Sequence, residues 1–127
     1  MHESSLVETL LRQVDAIAAE HHATQVTQVR IEVGLLSGVE PILMSEAFER
    51  LKLGTMCREA VLAIEDIGLT CRCQSCQTNY TTAELSFVCP HCGSSRVTIT
   101  RGDGVELVDV TLQAEDILSR RASELRS

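Results

Sequence analysis

Six cysteines punctuate this 127-residue chain, and four of them form two pairs, Cys73-x-x-Cys76 and Cys89-x-x-Cys92, with twelve residues between the pairs. Two residues between thiolates let one tight turn aim both sulfurs at a common point. Two such turns facing each other complete the tetrahedron that Zn(II) takes with four thiolates. A pair of disulfides is the competing reading. The N-terminus lacks the basic, apolar and small-residue order of a secretory signal, and no apolar run approaches the roughly 20 residues that span a bilayer. The expected compartment is therefore the cytoplasm, where thiols stay reduced, so metal ligation is read first and disulfides second. A four-cysteine site is coordinatively closed, which makes its zinc structural rather than catalytic. So short a segment cannot build its own core, and metal binding would supply most of its folding free energy. The spacer, with Tyr80 and Phe87 to pack, is expected to form a hairpin joining the knuckles, and Gly93 to turn the chain back. Cys71 is expected to point elsewhere, Cys57 to be a small buried hydrophobe, and His91 to be a bystander inside its knuckle.

A second constellation opens the chain: MHESS. A histidine at position 2 lines up the amine of Met1, the backbone amide of His2 and its imidazole Nδ1 on one chelating path, closing unstrained five- and six-membered rings. Displacing the amide proton needs a metal that rewards strong in-plane nitrogen donors, which means Ni(II) or Cu(II) in square-planar geometry. Glu3 could complete the square through its own amide nitrogen or add its carboxylate. Glu40, just before a helix that opens on Pro41, is a candidate outer ligand if the fold brings it close; a surface carboxylate near a helix N-terminus is the plainer reading. His21 and His22 read as solvated.

The elements that must position these groups follow from periodicity. Residues 4–23 place Leu6, Leu10, Val14 and Ile17 on one helical face with Val7, Leu11 and Ala18 beside it. Ser5, with Glu8 three residues on, forms a capping-box pattern that would start the helix at residue 5 and leave MHE as an exposed arm. VTQVRIEVG alternates Val29, Ile31 and Val33 with Arg30 and Glu32, a half-buried strand. Pro41 suits the first turn of a second helix through Ile42, Leu43, Ala47, Phe48 and Leu51 to a stop near Gly54. Residues 60–68 and 104–112 read as further strands, the latter with Val108, Val110 and Leu112 on one face. The expected fold is α+β: two helices packed on a small three-stranded sheet, with an inserted four-cysteine zinc ribbon. The expected domains are 1–68 plus 102–113, the insert 69–101, and a C-terminal tail, 114–127, helical or disordered.

Composition narrows the partners. Eighteen Asp and Glu against eleven Lys and Arg give a formal charge of −7 with no basic run. Affinity for nucleic acid rests largely on cationic side chains neutralising phosphates, so this balance argues against it. Hydrophobic residues make up 44%, enough for a core, but Trp is absent and Phe48, Phe87 and Tyr80 are the only aromatics, so that core is aliphatic.

Taken in order, MHE at the start, RIEVG with LSGVEP in the middle, the paired CxxC with CPHCGS, and ELVDVTL at the close resemble the HypA/HybF family, the nickel metallochaperones of nickel–iron hydrogenase maturation. The resemblance covers residues 1 to about 113. It implies a nickel-binding domain with an inserted zinc-binding domain, no enzymatic activity, and Ni(II) as transient cargo beside structural Zn(II). His2 is then the nickel ligand, with Met1, Glu3 and Glu40 at or near that site, and Cys73, Cys76, Cys89 and Cys92 hold zinc. It further implies partners: a HypB-type GTPase, the nickel–iron hydrogenase large-subunit precursor, and in some organisms the urease maturation proteins. A monomer or homodimer, without nucleic-acid or membrane partners, is expected. Release of the cargo would follow protonation of His2, whose unperturbed pKa is roughly 6.5, or ligand exchange with client cysteines. The tail and the extra Cys57 and Cys71 depart from the family pattern. The rival reading is a zinc-ribbon protein- or nucleic-acid-binding module with MHE as noise; a metal-dependent hydrolase would need a motif such as HExxH or a Gly-rich phosphate loop, and none is present.

Overall fold

The structure, a computed structural model, describes residues 3–114. Helix α1 spans Glu3–Glu20 and strand β1 Ala23–Gly34; helix α2 spans Pro41–Leu51 and ends in a short 3-10 turn, Lys52–Gly54. Strands β2 (Val61–Ile67), β3 (Leu69–Cys73), β4 (Asn79–Thr82), β5 (Val97–Arg101) and β6 (Val105–Ala114) follow. They form two three-stranded sheets, ordered β2-β1-β6 and β4-β3-β5. In the first sheet β1 pairs parallel with β2 and antiparallel with β6. Parallel neighbours need a long crossover, and α2 supplies it.

The two helices and the first sheet enclose one aliphatic core. Val7, Leu10, Leu11, Val14 and Ala18 of α1 meet Met44, Ala47 and Phe48 of α2 over Val26, Val29, Ile31 and Val33 of β1. The buried stripe of α1 is centred on Val7, Leu11, Val14 and Ala18, while Leu6 and Ile17 are only half-buried. On α2 the core takes Met44, Ala47 and Phe48 and leaves Ile42 and Leu43 exposed. Cys57 is fully buried among these residues, the small hydrophobe its isolation implied.

Two expectations about these elements are corrected. The first helix begins at Glu3, not at residue 5, so Ser5 lies inside its first turn and Glu3 belongs to the helix rather than to a free arm. The cause is tertiary: the Glu40 backbone N–H donates to Glu3 Oε2 at 3.0 Å, and Arg50 Nη2 donates to Ser4 Oγ at 2.7 Å. Both contacts hold residues that a local capping box would have left outside. On β6, Val108 does not share the core face with Val110 and Leu112. It is the extra residue where Ile31 pairs with Leu107 and Arg30 with Asp109, so it is 42% exposed and the inward set becomes Val105, Leu107, Val110 and Leu112. A bulge moves the alternation by one, which switches faces. Two further irregularities fall at Thr24 and Thr27 of β1, whose hydroxyls donate to the Gln113 and Thr111 carbonyls of β6.

The chain leaves the first sheet through Gly68, between β2 and β3, and returns through Gly102 and Gly104, between β5 and β6. Here backbones cross without side chains. A Cβ on Gly34 would penetrate the backbone of Gly102, and one on Gly102 would penetrate the carbonyl of Gly68. Gly102 also sits at φ +100°, a region L side chains rarely adopt. The crossing is stitched by Gly34 N–H to Gly104 O (2.9 Å), Leu35 N–H to Ile67 O (3.0 Å) and Leu36 N–H to Gly102 O (2.9 Å), with Arg101 paired to Glu32 beside it at 2.6 Å. Gly102→Ala should cost at least about 2 kcal/mol in chemical denaturation, since it combines backbone strain with a clash against main chain. Gly54→Ala, facing open space, should stay within about 0.5 kcal/mol of wild type. Equal midpoints for all three proteins would refute the close crossing.

Candidate metal centre

The first CxxC is the turn of a hairpin. Strand β3 ends at Cys73, the chain reverses through Cys76 and Gln77, and β4 returns along β3 with Arg72 opposite Asn79. The second CxxC lies just before β5, which pairs with the other edge of β3, Cys73 opposite Val97. The two knuckles repeat one hydrogen-bond pattern. Cys73 N–H donates to Thr78 O and Gln77 N–H to Cys73 O, at 2.8 and 2.9 Å; Cys89 N–H donates to Ser94 O and Gly93 N–H to Cys89 O, both at 2.8 Å. The fifth residue of each turn takes a left-handed conformation, Gln77 at φ +64° and Gly93 at φ +79°. Amide donors also point at sulfur, Cys76 N–H at Cys73 Sγ (3.5 Å) and His91 N–H at Cys89 Sγ (3.4 Å).

The knuckles face each other. Cys73 Sγ lies 3.6 Å from Cys92 Sγ and Cys76 Sγ 3.7 Å from Cys89 Sγ, and all four sulfurs lie within 4.8 Å of one another. A tetrahedron with Zn–S bonds of about 2.3 Å has S···S edges of about 3.8 Å. The observed separations match that edge and are far longer than the roughly 2.05 Å of an S–S bond. The donor set therefore fits a tetrahedral divalent ion, and the disulfide reading does not apply to the described residues, where all six cysteines are free.

The electrostatics ask for a cation. The Cys76 backbone N–H, more than any other group, draws the Cys73 thiol down to about 6, against the opposing effect of burial. The Thr78 hydroxyl, 3.2 Å from Cys76 Sγ, lowers that thiol as well. Cys92 moves the other way: although the Ser94 backbone N–H favours its thiolate, hydrogen bonding to the Cys73 sulfur, burial and the neighbouring Cys76 and Cys89 sulfurs push it up to about 12. Four sulfurs this close cannot all carry charge unless a positive ion sits between them.

Of the remaining groups, Cys71 is buried on the same face of β3 as Leu69 and Cys73 and stands outside the four-sulfur group. It serves the small core of the second sheet. His91 is exposed and is no member of the group, and His21 and His22 are exposed in the turn after α1. The spacer departs from expectation. No hairpin forms within it, because β4 is consumed by pairing with β3; Tyr80 is half-buried with its hydroxyl donating to Ser86 O at 3.3 Å, while Leu85, Phe87 and Val88 are exposed.

At the start of α1, Glu3 and Glu40 do meet, by a bond between the Glu3 carboxylate and the Glu40 backbone N–H, with the Glu40 residue itself exposed. An open cleft of about 340 Å³ runs between the start of α1 and α2, lined by Glu3, Ser4, Ser5, Leu43, Glu46, Ala47 and Arg50. Met1 and His2 lie outside the described residues, as does the tail from residue 115. Sequence reasoning missed Arg50 and Ser4 here; their pairing spans 46 positions and leaves no local signal.

A two-helix α+β unit continuous with a four-thiolate ribbon defines a small protein built around a candidate metal centre. The family model described as "Hydrogenase/urease nickel incorporation, metallochaperone, hypA" matches residues 1–112, and the chain belongs to this HypA family of maturation factors rather than to a class of enzymes. It is 41% identical over 117 residues to the hydrogenase maturation factor HypA of Shewanella oneidensis, covering 91% of this chain and 99% of that one. The Aquifex aeolicus protein of the same name is 37% identical over 115 residues, covering 91% and 100%. The solution structure of the Ni metallochaperone HypA from Helicobacter pylori superposes with a TM-score of 0.73 at 29% identity, covering 91% of this chain and all of that one. Among the described residues no helix is long and apolar enough to cross a membrane.

Burial separates the two extra cysteines from the redox chemistry their presence suggested. Cys57 is inaccessible, and burial pushes its thiol up to about 11. In the metal-loaded protein at neutral pH, neither Cys57 nor Cys71 should react with iodoacetamide, and Cys57 should become labelled only in denaturant. Peptide mass spectrometry reads both; labelling of Cys57 in the native state would contradict its place in the core.

Proposed function

We propose that this chain carries Ni(II) on its first residues and delivers it to the large-subunit precursor of a nickel–iron hydrogenase, working with a HypB-type GTPase in the cytoplasm. Urease maturation proteins are a further recipient in that scheme. Zn(II) is the structural ion of Cys73, Cys76, Cys89 and Cys92, and residues 69–101 act as a zinc-binding domain inserted into the nickel-binding domain of 1–68 plus 102–113. Ni(II) is held by the Met1 amine, the His2 amide and imidazole Nδ1, and the Glu3 amide, with Glu40 beside the site.

The observation that carries this reading is the start of α1 at Glu3 in a member of a nickel-incorporation family. Joining the donors directly to a packed helix lowers the ordering cost of binding. Flat nitrogen coordination also separates the cargo from the structural ion, since the four sulfurs suit tetrahedral Zn(II).

Titrating Ni(II) into untagged, zinc-loaded protein should give one site with the absorption of a planar nitrogen complex. His2→Ala should abolish it while zinc content and fold persist. An uncleaved N-terminal extension should weaken it sharply by consuming the amine. Nickel bound as tightly by the extended protein would exclude the amine-based site. Removing a thiolate acts elsewhere: Cys76→Ala or Cys89→Ala should release zinc and unfold the second sheet, read by metal analysis and NMR. The same sheet staying folded and zinc-loaded would overturn that ligand set.

A further inference from the structure

We infer that α2 is the element that orients the metal-binding start of the chain, with Arg50 as a positioning residue acting through Ser4; this rests on the nickel site proposed above. The first turn of a helix frays readily, because its N–H groups lack partners within the helix. Here the adjacent residues Glu3 and Ser4 are tied down by opposite ends of α2. The Glu3 carboxylate accepts from the backbone N–H of Glu40, the N-cap residue of α2, and the Ser4 hydroxyl accepts from Arg50 in its last turn. Between the two ties lies the 340 Å³ cleft, in which Arg50 is the single cationic lining residue, with Glu3 on α1 and Glu46 one turn before it on α2.

Neither tie is needed to build the core, which begins at Val7 and draws on Met44, Ala47 and Phe48 of α2. What they fix is the backbone of Glu3 and Ser4, the first turn of α1, to which the proposed donors are joined. Arg50 touches no donor atom on this account. A charged donor on a neutral hydroxyl is stronger than a neutral pair, and a guanidinium reaches across the cleft from an exposed helix position where a shorter side chain would not. Holding the turn beforehand removes part of the entropy that nickel would otherwise have to overcome when it orders the same backbone. Linkage then runs both ways: nickel must tighten the ties to the extent that the ties favour nickel.

The test is a double-mutant cycle on Ni(II) affinity, by calorimetry on the full-length, untagged, zinc-loaded protein: wild type, Ser4→Ala, Arg50→Ala and the double variant. Each single change should weaken nickel roughly fivefold, the scale of one hydrogen bond to a charged group, and the double change no more than either alone. Arg50→Lys, which keeps a donor, should recover most of the loss. The nickel spectrum, zinc content and thermal midpoint should stay those of wild type. Residue-resolved hydrogen exchange supplies a readout that a purely structural role would leave still: adding Ni(II) should slow exchange of the Glu40 amide in wild type and less so in Ser4→Ala. Unchanged affinity in the single variants, additive losses in the cycle, or a Glu40 amide indifferent to nickel would each overturn the inference. Should Arg50→Ala fail to fold, Ser4→Ala with Arg50→Lys probes the same contact from the α1 side. If His2→Ala binds nickel as wild type does, the terminal site itself is wrong, a result distinguishable from loss of the clasp.

Discussion

The constraint on which this architecture turns is the backbone crossing at Gly34, Gly68 and Gly102. A sheet of β2, β1 and β6 is interrupted between its last two strands in sequence by the 37 residues from Gly68 to Gly104. The chain must leave at the end of β2 and return to open β6 at one point of space, beside the end of β1. Three main chains then approach closer than any side chain permits. Glycine is the only residue that meets the demand, at the cost of conformational entropy in the unfolded chain. The return is rewarded by hydrogen bonds from Gly34, Leu35 and Leu36 across the junction and by the Arg101–Glu32 pair. The four-sulfur ribbon is thereby held to the first sheet by main chain on both sides.

Much of this was legible from residue spacing. The two knuckles are local objects, and the pattern that places Cys73 with Cys76 and Cys89 with Cys92 needs no tertiary information to be read. Their mutual approach was legible too, because two half-sites with one preferred coordination number have few alternatives. The alternation of β1 and the apolar face of α1 gave the core in the same way, since burial of a stripe is what the periodicity records. The family, and with it the fold, followed from the order of these motifs.

What escaped was set by pairs far apart in sequence. The capping pattern at Ser5 is a real local preference, overruled because Glu40 and Arg50 offered Glu3 and Ser4 better partners. The outward turn of Val108 is a property of its pairing with β1, not of β6 alone, so strict alternation assigned it to the wrong face. The spacer between the knuckles held Tyr80 and Phe87 and invited a hairpin, but β3 had two free edges and took β4 on one and β5 on the other. In each case the local rule was sound and lost to a contact that only the folded chain supplies. His2 and Met1, the residues with the most distinctive chemistry in the sequence, stand outside the described residues and keep their role as a proposal.

Under the proposed function, the two metal chemistries explain why one protein would keep them apart. A four-thiolate centre is valuable because it is closed: its amide donors, shared sulfurs and tight turns all favour retention, and it gains from being buried in a fold that collapses around it. A carrier site has the opposite requirement, since its ligands must be exchanged one at a time with those of a recipient. In the proposed scheme, placing such donors at a chain terminus would leave one side of the metal open to an incoming ligand, while joining them to α1 would lower the entropy lost on binding. The balance between these two demands is set where the terminus joins the helix. There the structure has spent a carboxylate on the Glu40 amide and a guanidinium on a serine hydroxyl, groups that stand outside the buried core. Under the inference drawn above, grip would be adjusted at α2 without altering a ligand, which is the freedom a cargo site needs and a structural site does not.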